Sequence, residues 1–223
     1  IPYKWPCTSS HFGLMDLCGF PKDLYWYFRA WWGSAPVLHL FPHWNWAGRE
    51  GQPLEVVAYT NHQEVELQVN GRSLGRQPVE RNGQVAWTVE YEPGRLEAIG
   101  YRSGRAAGRT IVETTGPLQR LALSREPLSF AGSASQYAIA TVRGCDLRGR
   151  TVPTAAETVY FRVSGPAEIV GVGNGDPASH EPEKASYRRL FHGLAQVILR
   201  RRGSGRVTLE ARAEGLPAAS VRI

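Results

Sequence analysis

The sequence predicts a mainly β protein, with two successive antiparallel β-sandwiches of immunoglobulin type preceded by a single strand–loop–helix unit. Three observations predict it. Apolar and polar residues alternate in short runs from residue 54 to the end of the chain, the period that turns one face of a strand inward. Turn-forming pairs, among them Asn70-Gly71, Pro93-Gly94 and Asn174-Gly175, punctuate those runs, as short-stranded sandwiches require. The helix-length stretch at residues 24–32 is crowded with aromatics and stops at Gly33, and neither sandwich region repeats such a pattern.

Residues 13–17 form a short apolar run of the length that suits a buried strand. Gly19 and Pro21 then turn the chain. Asp23 is a natural N-cap for the helix that follows. Leu24, Tyr27, Phe28 and Trp31 share one face of that helix, and Tyr25, Trp26 and Trp32 cover much of the rest. Each aromatic buries roughly 150–250 Å², more surface than a lone strand–helix unit hides. The unit, residues 1–35, is therefore expected to come from a larger α/β body. The chain opens with Ile1-Pro2, without a Met or a signal-peptide pattern, so position 1 is expected to be a fragment boundary and the chain the tail of a bigger protein.

Strands are expected at 37–40 and 54–60, then over Glu64-Val-Glu-Leu-Gln-Val69, where Val65, Leu67 and Val69 point inward. Asn70-Gly71 makes a tight hairpin into Ser73-Leu74, and strands follow at 84–91, 95–101 and 110–114. These complete a first sandwich, residues 36–116. Gly116-Pro117 reads as a hinge. A second series at 119–124, 136–145, 158–163, 167–172, 195–200, 206–211 and 219–223 makes the second sandwich, residues 117–223.

Composition narrows the function. The 223 residues are 42% hydrophobic and 21% charged, ordinary globular material, and no apolar run approaches the ~20 residues that span a bilayer, so no membrane partner is expected. The net charge of +6 comes mostly from scattered arginines. Arg200-Arg201-Arg202 is the tight cluster, beside the turn Gly203-Ser-Gly205; a solvated hairpin end is favoured over contact with nucleic acid. Cys7, Cys18 and Cys145 make no disulfide framework and no metal-binding spacing. Cys18 reads as a buried thiol, because an activated nucleophile needs a basic neighbour.

Longer stretches carry a resemblance. Pro2-Tyr-Lys-Trp-Pro6, Ser9-Ser-His-Phe-Gly13, Asp16-Leu17, Gly19-Phe-Pro-Lys-Asp23, Leu40-Phe-Pro-His-Trp-Asn-Trp46, Tyr59-Thr-Asn61, Glu66-Leu67 and Val69-Asn-Gly-Arg-Ser-Leu-Gly75 occur in order. Gly171-Val-Gly-Asn-Gly-Asp-Pro177, Ser179-His-Glu-Pro182, Lys184-Ala185 and Phe191-His-Gly-Leu-Ala-Gln-Val-Ile198 follow. Together they resemble the C-terminal half of glycoside hydrolase family 2, especially its bacterial β-galactosidase branch. The resemblance implies that residues 12–32 are the last strand and helix of a (β/α)₈ barrel, with residues 18–22 on the catalytic rim. It also implies a retaining exo-β-glycosidase whose two glutamates lie upstream, since no Glu precedes Glu50. The fragment is then inactive by itself, meets carbohydrate through the missing barrel, and uses no cofactor. By resemblance to bacterial relatives, the compartment is periplasmic or extracellular; the oligomeric state is left open. Glucuronidases of the family carry Asn-x-Lys before the glycine that opens the last barrel strand. Here Ser10-His11-Phe12 precedes Gly13, which favours a neutral sugar such as a galactoside.

Candidate sites follow from the same placement. Trp5 and Phe12 are the candidate substrate-binding residues, as aromatics near the barrel mouth, with plain packing as the alternative. Asp16 is expected in a structural salt bridge, and Lys22 and Asp23 as capping groups of the helix. His43-Trp44-Asn45-Trp46 is expected to wedge barrel against sandwich. Asn174, Asp176 and Glu181, with His180, suggest calcium only faintly, because their spacing departs from an EF-hand loop; turn chemistry is the simpler reading, and no metal is expected. A carbohydrate-binding module and a purely structural module stand as the competing functions.

Overall fold

The computed structural model describes residue 7, residues 11–127 and residues 136–223. Contacts divide the chain into two compact units. One is Pro21–Thr115; the other is the described part of Ile1–Phe20 together with Gly116–Ile223.

In the first unit, α1 (Asp23–Trp32) precedes β1 (Leu38–Phe41), β2 (Pro53–Thr60), β3 (Glu64–Val69), β4 (Arg72–Pro78), β5 (Val85–Glu90), β6 (Arg95–Arg102) and β7 (Arg105–Glu113). The strands form a three-stranded sheet, β1-β2-β5, and a four-stranded sheet, β4-β3-β6-β7, all antiparallel. The inward residues meet in one core. Val56, Ala58, Trp87 and Val89 from one sheet pack with Val65, Leu67, Val69, Leu96 and Ala98 from the other. The hairpin at Asn70-Gly71 forms as expected, with both residues at positive φ (50° and 83°).

The helix is capped differently from the sequence expectation. Lys22 is the N-cap and makes no side-chain cap bond, while Asp23 sits in the first turn. Its carboxylate instead takes His39 Nε2 at 2.8 Å. The helix lies on the outer face of β1 and β2, where aromatics continue its own. Trp26 stacks on His39 (5.2 Å), His39 on Phe41 (5.5 Å), Phe41 meets Tyr59 (4.7 Å), and Tyr59 meets Tyr27 (5.4 Å). Of the helix residues only Ala30 is buried, and Trp32 is 80% exposed.

A second correction concerns His43-Trp44-Asn45-Trp46, expected as a wedge between domains. Trp44 is fully buried in this unit's own core, edge-on to Tyr91 at 5.0 Å, with its indole N–H donating to the Glu92 carbonyl at 2.8 Å. Asn45 ties to Thr115 through two hydrogen bonds, and Trp46 stacks on His43. A large aromatic with a satisfied N–H is a core residue.

His62 shows how closely this unit is packed. It is 3% exposed, and its Nδ1 lies 2.9 Å from Thr60 Oγ1 and 3.2 Å from the Val37 carbonyl. Thr60 Oγ1 already donates to that carbonyl, so Nδ1 carries the imidazole proton. The ring fills a slot between Gly100 and Gly108, which face each other across β6 and β7. A Cβ would stand 2.6 Å from the ring at Gly100 and 2.7 Å at Gly108.

The second unit contains β8 (Arg120–Arg125), β9 (Tyr137–Cys145), β10 (Thr158–Ser164), β11 (Ala167–Gly173), β12 (Tyr187–Arg189), β13 (Leu194–Arg201), β14 (Thr208–Arg212) and β15 (Ala219–Arg222). Two four-stranded antiparallel sheets, β11-β13-β9-β8 and β12-β10-β14-β15, enclose a core centred on Val142, Val159, Val197, Leu199 and Leu209. The short strand β12 is absent from the sequence expectation. The strand expected at 13–17 does not form. That segment makes turns, with Phe12, Met15 and Leu17 exposed.

At the start of this unit Asp146 holds the chain together. Its 2%-exposed carboxylate accepts from the Gly116 N–H, the Arg150 N–H and the Arg150 guanidinium. Burial alone would raise its pKa, but the Arg150 and Gly116 hydrogen bonds outweigh it and bring the group from 3.8 to about 2. Because the folded value lies below the ordinary one, this carboxylate stabilises fully above about pH 4. The contribution fades as pH falls towards 2. Denaturant titration should therefore show a gap between wild type and Asp146→Asn that is widest near neutrality and narrows through that window. Gly100→Ala should cost about 1–3 kcal/mol in the same measurement. Adding His62→Ala should recover part of that cost, since the clash is with the ring.

Candidate functional site

The residues that sequence reasoning singled out in the second unit converge on one face. Strand β11 pairs with β13 in the register Gly171↔Ile198, Val172↔Val197 and Gly173↔Gln196, with an irregularity between Ile169 and Gly171. Val172 and Val197 face the core, so Gly171, Gly173, Gln196 and Ile198 lie on the outer face. Gly171, Gly173 and Gly175 follow at every second position, which strips that edge of side chains.

The turn at residues 16–20 settles onto it. Asp16 Oδ1 accepts from the Cys18 and Phe20 amides at 2.8 and 2.9 Å, and the Asp16 carbonyl from the Gly19 amide at 3.0 Å. The carboxylate is thus held by its own turn, where a salt bridge was expected. A Cβ at Gly173 would stand 2.8 Å from Cys18 Sγ, and one at Gly175 would collide with the Asp16 carboxylate. Gly175 is also held at φ +79°, a conformation that favours glycine.

Cys18 is a half-buried thiol. Burial, reinforced by the negative charge of Asp16, raises its pKa from 9.0 to about 11 against the opposing effect of the Gly175 amide. The protonated form is a poor nucleophile.

The loop after β11 uses its polar groups internally. Asn174 is 2% exposed; its Nδ2 donates to the Arg189 carbonyl, while its Oδ1 accepts from Arg188 and the Asp176 amide. Asp176 Oδ1 accepts from the Ala178 amide, and the Glu181 carboxylate from the Arg189 amide. This is turn chemistry. Among the described residues no group of three His, Cys, Asp or Glu side chains is placed to hold a metal.

Residues 121–222 match the family model described as glycoside hydrolase family 2 C-terminal domain 5, and residues 51–108 match a domain of unknown function, DUF4982. The whole chain aligns at 38% identity with the β-galactosidase BoGH2A of Bacteroides ovatus. This chain belongs to glycoside hydrolase family 2, as its C-terminal portion. It spans 26% of that relative's length. A putative β-glucuronidase of Formosa agariphila is 34% identical over 84% of this chain, which spans 19% of that protein. The crystal structure of a β-glycosidase from Bacteroides vulgatus superposes over 99% of this chain and 29% of its own, with a TM-score of 0.91 and 32% identity.

Among the family-derived site candidates, Phe12 is 63% exposed, and Trp5 lies outside the described residues. Sequence reasoning named Cys18, Asp16, Asn174 and Asp176 separately but missed Arg188, which is 5% exposed and donates to Asn174 Oδ1 and the Glu181 carbonyl. The signal was an arginine in the segment Tyr187-Arg-Arg189, which read as loop. The Arg200–Arg202 cluster is occupied: Arg200 and Arg202 both pair with Glu168, at 2.5 and 2.6 Å.

The state of Cys18 has a direct readout. Peptide mapping after brief iodoacetamide treatment should show Cys18 labelled slowly at pH 7, with a rate that climbs about tenfold per pH unit through pH 9 and reaches no plateau there. Labelling should accelerate once the chain is unfolded in urea. Fast alkylation of native protein at neutral pH would contradict the assignment.

Proposed function

We propose that this chain is the C-terminal end of a retaining exo-β-glycosidase that removes terminal β-galactosyl units. In this reading residues 1–35 derive from the end of the catalytic barrel. Two immunoglobulin-like sandwiches follow, a reading supported by the facing sheet orders β1-β2-β5 and β4-β3-β6-β7. The chemistry belongs to two glutamates upstream, one nucleophile and one acid/base, about 5–5.5 Å apart as a double displacement requires.

The observation that carries the sugar assignment is Phe12. It stands where the resemblance places the lysine that binds a uronic acid carboxylate, and it supplies an uncharged aromatic side chain there instead. An aromatic suits the apolar face of a neutral pyranose and offers nothing to a carboxylate. The 38% identity to a β-galactosidase over the full chain supports the same choice.

The test is kinetic. The 223 residues alone should release no aryl alcohol from aryl glycosides. The reading frame extended upstream through both glutamates should cleave an aryl β-galactoside in preference to the β-glucuronide. In that longer enzyme Phe12→Ala should raise KM about tenfold, the loss of one stacking contact. A preference for the glucuronide, or for β-mannosides, would overturn the assignment.

A further inference from the structure

The outer edge of β11 carries a cavity of about 330 Å³, at the small end of the ~300–1,000 Å³ range of small-molecule sites. Its floor is Gly171 and Ile198, its roof Leu17 and Cys18, and its rim includes Gln196, Glu183 and Lys184. The glycines along this edge differ in what requires them. Gly173 makes room for Cys18, and Gly175 for Asp16. Among the described residues, Gly171 makes room for nothing. A Cβ there would meet only Ile198 Cδ1 at 3.8 Å and the Glu183 carbonyl at 3.9 Å, both ordinary contacts, and its φ is not in the left-handed region. Neither the backbone nor a neighbour explains the missing side chain. Open space above it does.

A second observation lies in the wall. Arg188, 5% exposed, lines the cavity. Its Nη atoms donate to the Glu181 carbonyl and Asn174 Oδ1. Its Nε is buried without a hydrogen-bond partner among the described residues, the nearest carboxylate oxygen being that of Glu181 at 3.7 Å. Nε is enclosed beside Glu181 and out of a ligand's reach, whereas each Nη keeps a second N–H beyond these bonds that an acceptor in the cavity can take.

The lining also states what kind of ligand. Lys184 and Arg188 are balanced by Asp176 and Glu183, so the cavity has no charge surplus to attract phosphate or a carboxylate. It offers donors and acceptors together around apolar walls from Leu17 and Ile198. That combination matches a molecule with C–H faces and many hydroxyls. We propose that this cavity binds a neutral pyranose, its ring over Gly171 and a ring or hydroxyl oxygen accepting from Arg188. The readout requires no hydrolysis, so this inference stands or falls independently of the galactosidase reading.

Saturation-transfer NMR on the chain, with methyl β-D-galactopyranoside as probe and glucuronate and inorganic phosphate as comparators, tests it. The expected result is signal transfer from the protein to the methyl galactoside and to neither anion. Gly171→Val, which suits a strand while filling the floor, should abolish the transfer without lowering the melting temperature. Should that variant fail to fold, Gln196→Ala decides, with an expected loss of affinity of up to about tenfold for one rim hydrogen bond. The proposal is overturned if the sugar shows no transfer at tens of millimolar. It is equally overturned if the anions bind in preference, or if the folded variants bind the sugar as wild type does.

Discussion

The second unit depends on a constraint of omission, the missing side chains along one edge of β11. At Gly173 and Gly175 the turn of residues 16–20 comes within van der Waals contact of bare backbone. Any other residue at these positions would hold that turn away. The approach partly buries the Cys18 thiol, and this desolvation beside Asp16 keeps it protonated. The turn needs no partner to keep its shape, since Asp16 satisfies two of its amides. Its position, by contrast, is borrowed from the strand. The segment ending near Glu183 closes the other side, with its carbonyl accepting from the Val172 amide at 2.8 Å.

The same economy appears in the first unit, with the roles reversed. There a pair of glycines facing each other across β6 and β7 accommodates an imidazole. Both units thus use alternation for the core and glycine for single close approaches. Packing at interior density explains why such positions tolerate no added methyl group. The aromatic row from Trp26 through Tyr59 is a different device. It joins a helix to the outer face of a sheet whose own residues at His39, Phe41 and Tyr59 are aromatic, leaving the far side of the helix, with Trp32, facing solvent.

The strands were legible because alternation is a local signal. Glu64–Val69 appears in the structure with the bounds and inward residues the pattern implies. The turn at Asn70-Gly71 was equally legible, since two successive positive φ values favour that pair. What failed was any inference that composition cannot carry. An apolar run at 13–17 reads as a strand, but its residues form turns because Asp16 offers the backbone better partners than a ladder would. Trp44 reads as a surface wedge until the Glu92 carbonyl is found to satisfy its N–H. Arg188 hides for the opposite reason. A charged residue predicts exposure, and only the joint presence of Asn174 and the Glu181 carbonyl, fourteen and seven residues away, makes its burial tolerable.

The net charge of +6 invites a reading as attraction to polyanions, and the pairings argue against it. Glu168 takes both Arg200 and Arg202, and its carboxyl is held below the usual range by their hydrogen bonds. Arg95 and Arg109 share Glu97, while Arg150 serves Asp146 and Arg212 serves Glu210. Arginines bound pairwise to carboxylates along strands have their charge locally offset and are less available to a phosphate backbone. Apart from the buried Asp146 pair, the exposed pairs among these add little stability. Their effect is to make a surface of many charges behave locally as a nearly neutral one, and a neutral, hydrogen-bonding surface is the kind that tolerates an uncharged, hydroxyl-rich ligand nearby.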